Sequence, residues 1–215
     1  MIDTKVKGVF NIDGALHGMR NPLKSWDKAD SGFVDIGGIK RFEVGQNDLK
    51  LARKLVNSGS DHRKFLRQIF VCMDIKAPLY WWKQFDTYKV GTTANSESTM
   101  HTITKKPLTI NDFSVRNLRL YETDNGNAFI RTIELLNYYR EQYLKEESNK
   151  DKQKEYWHGI IELLPSNFNQ TRTVTVTFEN LLNMHKSRKN HKLDEWKDFC
   201  KDIENIPYFT LICLK

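Results

Sequence analysis

The side chains best suited to chemistry in this chain lie in residues 76–101. There, the aromatic residues Tyr80, Trp81 and Trp82 are followed by a polar stretch that contains Lys89 and is rich in hydroxyl and amide groups. A ligand pocket commonly combines an apolar wall with a few hydrogen-bonding groups. The segment therefore predicts a site that holds a planar ring against one side and a polar group of the ligand against the other.

The net charge of the chain favours an anionic partner. The 215 residues carry 34 lysines and arginines against 27 aspartates and glutamates, which gives a formal charge of +7. Nucleotides, nucleic acids and membrane surfaces are the classes of partner that such a charge attracts. With 39% hydrophobic and 12% aromatic residues, the composition is that of a globular protein and excludes a wholly disordered one.

The three cysteines, Cys72, Cys200 and Cys213, have no spacing typical of a metal site. Cys72 and Cys213 lie in apolar stretches, where a buried thiol is the usual state. Reduced cysteines are typical of the cytoplasm. The N-terminus shows no apolar signal segment, and no stretch has the length that spans a bilayer. We therefore expect a cytoplasmic protein that does not bind membranes.

Patterns of hydrophobic residues predict the strands and helices that would position these groups. Alternating patterns predict strands at 69–75 and 171–178, and further strands are expected at 5–10 and 38–44. Hydrophobic residues at helical spacing, together with start and stop signals, predict a helix that ends at Val56 and helices over 127–145, 178–187 and 192–202. Because strands and helices do not alternate regularly, we predict an α+β fold.

Turn-forming and charged residues predict the connections. Asn47 or Asp48 is expected to cap the helix that ends at Val56, and a second cap at residue 60 or 61 is expected to start a short helix. A connection rich in glycine and aspartate is expected through 20–22 and 30–32. The charged run 145–154 is expected to be a solvated helix end or a loop.

Two blocks of the sequence resemble the flavin-dependent thymidylate synthase family. In the first block, His62 precedes a strand, the tripeptide Lys-Ala-Pro and a helix that carries Gln84. In the second block, residues 164–183 contain Leu-Pro, a threonine-rich strand and a Leu-Leu-Asn helix in the order and spacing of the family. Residues 191–196 are similar to the family's His-Ala-Gln-Trp-Glu-Ile ending.

The resemblance implies a fold and an assembly. It covers more than half of residues 62–197, whereas residues 1–45 match the family poorly. It implies one domain over 1–215, built on a central, mostly antiparallel sheet that is flanked by helices. Family members are homotetramers with sites built between subunits, so a homotetramer is expected.

The resemblance also implies an activity, the reductive methylation of dUMP to dTMP. Reduced FAD would deliver hydride, methylenetetrahydrofolate would supply the carbon, and NADPH would reduce the flavin. Arg188 would stabilise negative charge that develops on the pyrimidine ring. The other implied roles are binding of the pyrimidine nucleotide by Gln84, Ser98, Glu97 and Lys89, and binding of the flavin by His62, Asn95, His191 and again Lys89.

Several cations that bind phosphate in the family are absent here. The family's Arg-His-Arg signature falls on Thr87-Tyr88-Lys89, and Met100 stands where the arginine of a Ser-x-Arg motif is expected. The arginine before Leu-Pro falls on Ile161, and a flavin-side arginine falls on Glu179. Each lost charge-assisted hydrogen bond would cost about 1.5–3 kcal/mol of binding free energy. Cations at other positions, such as Arg63, are candidate substitutes.

Three alternative functions remain open from the sequence alone. The first is a pyrimidine-nucleotide-binding protein of the same fold without flavin chemistry, which the missing arginines favour. The second is an enzyme that acts on a different pyrimidine nucleotide. The third is a protein that binds nucleic acid or another protein through the basic run 183–192 and an aromatic surface. It is the least favoured, because no nucleic-acid-binding motif is recognisable.

The candidate residues also have structural alternatives. Gln84 is compatible with an ordinary helix surface, Arg188 with a solvated charge run, and His62 with the start of a helix. Trp81 and Trp82 fit a protein core or a subunit interface better than a flavin platform. The polar residues after them are compatible with an ordinary turn.

Overall fold

The computed structural model of this protein describes residues 2–118, 120 and 124–214, and it confirms the predicted α+β class. Helices are combined with an antiparallel sheet. Across the described part of the chain, no helix is both long enough and apolar enough to cross a membrane.

The described strands form two sheets. They are β1 (Asp3–Phe10), β2 (Gly32–Ile36), β3 (Ile39–Glu43), β4 (Phe70–Pro78), β5 (Thr92–Ser96) and β6 (Asn169–Thr177). The larger sheet has the strand order β1-β4-β6-β5, and β2 pairs with β3 in a separate two-stranded sheet. The four predicted strands are present as β1, β3, β4 and β6. In β4 and β6 the alternating pattern places one side of the strand in the core.

Two strands have no counterpart among the predicted ones. β2 begins at Gly32, where the predicted connection ends, and β5 falls in the polar segment that is compatible with a turn. The residues of β5 after Thr92 are all exposed. A strand without a buried side needs no alternating hydrophobic pattern. β5 is recognised as a strand only by its pairing with β6 in the sheet.

The described helices are α1 (Ile12–Gly18), α2 (Gln46–Asn57), α3 (Leu79–Phe85), α4 (Thr99–Thr102), α5 (Asp124–Lys145), α6 (Lys150–Leu163), α7 (Phe178–Arg188), α8 (Asp194–Glu204) and α9 (Phe209–Cys213). The helices predicted at 127–145, 178–187 and 192–202 correspond to α5, α7 and α8. The charged run 145–154 also contains the start of α6, where the Asn149 side chain accepts a hydrogen bond from the Lys152 N–H at 3.2 Å. This cap, and not the charges, marks the helix start.

The start of α2 is capped by a residue that is distant in sequence. The Asp30 carboxylate accepts hydrogen bonds from the N–H groups of Asn47 and Asp48, at 2.8 and 2.9 Å. The prediction that Asn47 or Asp48 provides the cap is therefore wrong. Asp48 is buried instead, where its carboxylate accepts a hydrogen bond from Arg20 Nε at 2.6 Å.

The chain divides into two compact units, each with its own buried residues. The first unit comprises residues 1–3, 76–87 and 95–172, and the second comprises 4–75, 88–94 and 173–215. The core of the first unit contains Ile103, Leu108, Phe113, Ile133, Leu136 and Ile160. The core of the second unit includes the apolar faces of α7, α8 and α9, with Phe178, Leu181, Trp196, Phe199 and Phe209 fully buried.

Candidate functional site

Arg188 lies at the end of α7 in the second unit, between two aromatic rings. Its Nε donates a hydrogen bond to the Tyr88 hydroxyl at 3.0 Å. Its guanidinium carbon lies 5.0 Å from the ring centroid of Trp196 and 5.7 Å from that of Tyr88. A cation at this distance from aromatic faces is attracted by the ring quadrupoles. Arg188 is half-buried and fixed, unlike Lys186 and Lys189, which are exposed.

His191 contacts the same aromatic group. Its ring centroid lies 6.5 Å from that of Trp196, and its Nδ1 accepts a hydrogen bond from the Leu193 N–H at 3.1 Å. Partial burial, followed by the positive charges of Arg188 and of two lysines, lowers the pKa of His191. The imidazole is therefore neutral at pH 7, and because Nδ1 is an acceptor, Nε2 carries the hydrogen.

The loop that carries Tyr88 and Lys89 is held by Asn180 of α7. The Asn180 amide donates to the Val90 carbonyl at 2.6 Å and to the Thr92 hydroxyl at 2.9 Å. Gly91, between these two acceptors, has a φ of +72°, a conformation that favours glycine. Lys89 itself is exposed. The Asn180 side chain thus links the orientation of this loop to the first turn of α7.

Glu179, in the same turn, forms a largely buried ion pair with Arg63. Arg63 Nε lies 2.9 and 3.1 Å from the two carboxylate oxygens, and Arg63 Nη2 donates to the Asn183 side chain at 3.1 Å. Arg63 was a candidate substitute for a missing phosphate-binding cation. Its guanidinium is instead engaged by Glu179 and Asn183, and withdrawing it would leave a buried carboxylate unpaired.

His62 lies on the wall of a cavity of about 460 Å³ in the second unit. Its backbone N–H donates to the Gly59 carbonyl at 3.2 Å, so the residue belongs to a turn that precedes the 3₁₀ helix Lys64–Gln68. The volume lies in the range of small-molecule pockets. Apolar residues line most of the wall, namely Met19, Pro22, Leu23, Leu51, Leu55 and Phe65. Part of this wall comes from the N-terminal region that matches the family poorly.

In the first unit, the aromatic residues of α3 form core packing. Trp81 and Trp82 are 0% and 1% exposed, and their rings contact each other at a centroid distance of 4.9 Å. The Arg172 guanidinium covers the Trp82 ring at 4.2 Å and also bonds Asp86 at 2.7 Å. The interpretation of these rings as a ligand wall is therefore wrong, and the alternative, a protein core, is confirmed. Gln84, on the same helix, is half-buried.

The other candidates of the first unit lie on β5 and just after it. Asn95, Glu97 and Ser98 are all exposed. The Ser98 hydroxyl is 2.7 Å from Nδ1 of His101. The Glu97 backbone bonds to β6, because its N–H donates to the Thr171 carbonyl at 2.8 Å. One carboxylate oxygen of Glu97 also accepts a hydrogen bond from the Thr171 N–H, at 3.3 Å.

The candidate residues thus fall into two groups. The second unit contains Arg188, His191, Lys89 and His62, of which the first two share the Trp196 ring. The first unit contains Gln84, Asn95, Glu97 and Ser98. Sequence reasoning assigned no positioning role to Tyr88, Trp196 or Asn180. The sequence offers one local signal for the position of Asn180, which lies three residues after Thr177. At this spacing an N-cap side chain accepts a hydrogen bond from a backbone N–H, as the Thr177 hydroxyl does from Asn180.

Comparisons with known proteins identify the fold. No protein-family model and no curated protein sequence matches the chain. Among solved structures, thymidylate synthase X (ThyX) from Helicobacter pylori with FAD and dUMP has a TM-score of 0.69 and 16% sequence identity, over 100% of this chain and 98% of the other.

A second crystal structure of flavin-dependent thymidylate synthase ThyX from Helicobacter pylori, complexed with FAD and dUMP, gives a similar result. Its TM-score is 0.68 at 16% identity, over 99% of this chain and 100% of the other. At 16% identity, this full-length similarity establishes the course of the backbone and not which ligands bind. This protein therefore has the fold of the ThyX flavin-dependent thymidylate synthases.

Proposed function

We propose that this protein is a flavin-dependent thymidylate synthase-like enzyme that methylates dUMP reductively to dTMP. The observation that carries the proposal is the fixed Arg188 guanidinium, which Tyr88 and Trp196 hold in one place. The full-length similarity to proteins that bind FAD and dUMP supports it. The carbon donor would be methylenetetrahydrofolate, and NADPH would reduce the flavin.

In this proposal, Arg188 polarises the pyrimidine and no cysteine attacks it. A preorganised guanidinium stabilises negative charge on the ring without having to reorient during the reaction. Burial raises the pKa of both Cys200 and Cys213 to about 12. These two thiols stay protonated at neutral pH and are poor nucleophiles.

The cavity beside His62 fits a ring system, and its surroundings supply polar groups. His62 and Lys64 both line the cavity, where they would offer a hydrogen bond and a positive charge to a bound flavin. The flavin, when bound, supplies the hydride. Neutral His191 and exposed Lys89 would contact the flavin from the same unit. The roles of Gln84, Asn95, Glu97 and Ser98, the homotetramer and the cytoplasmic location remain proposals from the family resemblance.

The first test is the absorption spectrum of the purified protein, combined with its melting temperature. The proposal predicts flavin absorbance, or a melting temperature that rises with added FAD and with dUMP, because a ligand stabilises the folded state by mass action. Complementation of a strain that requires thymidine then tests turnover. A colourless protein whose melting temperature responds to neither ligand would refute the proposal.

A second candidate function is binding of a pyrimidine nucleotide without flavin chemistry. Glu179 favours it, because this buried acid stands where the resemblance expects a flavin-side arginine, and Arg63 neutralises it locally. The double variant Arg63→Glu, Glu179→Arg exchanges the two charges and keeps the pair. If FAD binding appears only in the double variant while dUMP binding is unchanged, the binding protein is favoured. Stoichiometric FAD in the wild type would reject it.

A further inference from the structure

The β2–β3 hairpin of the second unit presents apolar side chains to solvent. Its two-residue turn, Gly37-Gly38, has φ values of +64° and +85°, as type I′ hairpin turns require. Ile36, Ile39 and Phe33 are 54%, 73% and 62% exposed. A sheet gains stability when a third strand is added to two, so a two-stranded sheet with exposed apolar residues is suited to pairing with a further strand.

The base of the hairpin is anchored to the rest of the second unit at both strands. The Tyr208 hydroxyl donates to the Phe42 carbonyl at 2.9 Å. At the other strand, the buried Asp48 carboxylate accepts the Ser31 N–H at 2.9 Å. Phe42 itself is buried and contacts the Phe33 ring at a centroid distance of 5.2 Å. These contacts fix the base of the hairpin and leave its turn end exposed.

The register of the hairpin shows which backbone groups of β2 point outward. Ile36 pairs with Ile39 across the turn, and Val34 pairs with Arg41. The two residues that flank a two-residue turn form backbone hydrogen bonds with each other. Along the hairpin, such hydrogen-bonded pairs alternate with pairs whose N–H and C=O groups point away from the partner strand. The N–H and C=O groups of Phe33 and Asp35 therefore point away from β3. The outward Phe42 carbonyl that Tyr208 reaches is consistent with this alternation. Within the described residues, no strand pairs with this edge.

We propose that β2 pairs antiparallel with β2 of a second copy of this chain, across a two-fold axis at Val34. In this register Phe33 lies opposite Asp35 of the other copy, so the outward backbone groups of both copies meet in bonded pairs. Val34 meets Val34, and no charge meets a like charge. The equivalent pairing of β3 would place Arg41 opposite Arg41, which is unfavourable.

The chemistry of the hairpin favours a second copy over an anionic partner. Residues 32–43 contain two acidic and two basic side chains, so the hairpin is neutral although the chain carries a net charge of +7. Pairing would join the two hairpins into one four-stranded sheet, beyond the size at which a sheet becomes stable. The contact is small, so we expect association in the micromolar range or weaker. It should strengthen with salt, which screens the repulsion between two basic chains.

Two charge variants at the axis test the pairing by sedimentation velocity over a concentration series. Val34→Glu and Val34→Lys each place like charges opposite one another across the axis. In each variant alone, the association of two copies through β2 should weaken, so that the dissociation constant of this step rises at least about tenfold. An equimolar mixture of the two should regain the step, because Glu then faces Lys.

The control is Ile39→Glu, which places the same charge on the same hairpin face but away from the axis. It should associate as the wild type does, and the melting temperatures of all variants should show that they are folded. The proposal is overturned if Val34→Glu sediments with the same assembly mass as the wild type over the concentration series. It is also overturned if the mixture of Val34→Glu and Val34→Lys stays dissociated like each variant alone. None of these readouts depends on FAD or dUMP, so failure here would leave the proposed function untouched.

Discussion

At the scale of single residues, Arg188 is distinguished from the basic side chains around it by its aromatic neighbours. Lys186, Lys189 and Lys192 are exposed, and each keeps its rotamer freedom. Arg188 has lost that freedom to a hydrogen bond with Tyr88 and to the Trp196 ring. A charge that is ordered before a ligand arrives loses less entropy on binding, so the same run of basic residues contains one preorganised group.

Replacing Arg188 by alanine should abolish dUMP turnover, because it removes the group proposed to stabilise the charged ring. The free energy of unfolding should fall by only about 1 kcal/mol, since the residue is half-buried. Steady-state kinetics and thermal unfolding measure the two effects. A fully active alanine variant would contradict the role of Arg188.

Replacing Tyr88 by phenylalanine keeps the ring and removes the hydrogen bond to Arg188. A bond from a charged donor contributes about 1.5–3 kcal/mol, so we expect kcat to fall at least about tenfold with little change in KM. Tyr208→Phe is the matched control, because it removes another tyrosine hydroxyl bond of the same unit, to the Phe42 carbonyl. Equal losses of kcat in the two variants would show that Tyr88 has no positioning role.

At the scale of elements, the first turn of α7 organises the candidate site. Thr177 caps the helix, Glu179 pairs with Arg63, and Asn180 holds the loop that carries Tyr88 and Lys89. The last turn of the same helix carries Arg188. A single rigid helix therefore positions both the guanidinium and the loop that contacts it.

Replacing Asn180 by alanine should release this loop. Two hydrogen bonds are lost, so the free energy of unfolding should fall by about 1–3 kcal/mol, and hydrogen exchange at residues 88–92 should accelerate. Affinity for dUMP should fall as well, because Tyr88 loses its fixed position. Asn205→Ala, which removes one amide bond to the Lys201 carbonyl, should leave the loop and the affinity unchanged. Slow exchange in Asn180→Ala would mean that other contacts hold the loop.

At the scale of the whole molecule, stability should depend on carboxylates that are ionised in the folded state. Burial opposes the charged form of Asp48, but hydrogen bonds from Ser31, Arg20 and two backbone N–H groups outweigh it and lower its pKa. Hydrogen bonds from Lys7 and Thr173 lower the pKa of Asp74. A lowered folded-state pKa stabilises the protein above the unfolded-state pKa, and this stabilisation is lost as the pH falls.

We therefore expect the free energy of unfolding to be nearly constant from about pH 6 to pH 5 and to fall steadily below about pH 4. Asp48→Asn should cost about 3–5 kcal/mol at pH 7, because it leaves Arg20 buried without a charged partner. The difference between wild type and variant should shrink as Asp48 protonates. Urea unfolding at a series of pH values measures both effects. A difference that does not change with pH would contradict the linkage to Asp48.

The sequence by itself determined the α+β class and those elements that bury one periodic face, namely β4, β6, α5, α7 and α8. A strand or helix that contributes one side to a core must repeat its hydrophobic residues at its own period, and this pattern is local. It also indicated the fold, through the spacing of two blocks. Elements without such a face, such as the exposed β5, leave no periodic trace and were missed.

Only the tertiary structure decided what the candidate residues contact. It placed Trp81 and Trp82 in a core, paired Glu179 with Arg63 across 116 positions, and set Tyr88 against Arg188 across 100. A side chain's type and local spacing specify which groups it is able to bond, and chain topology determines which of them lies within 3 Å. For this reason the sequence predicted an arginine that acts on a pyrimidine, and the structure supplied the tyrosine and the tryptophan that hold it.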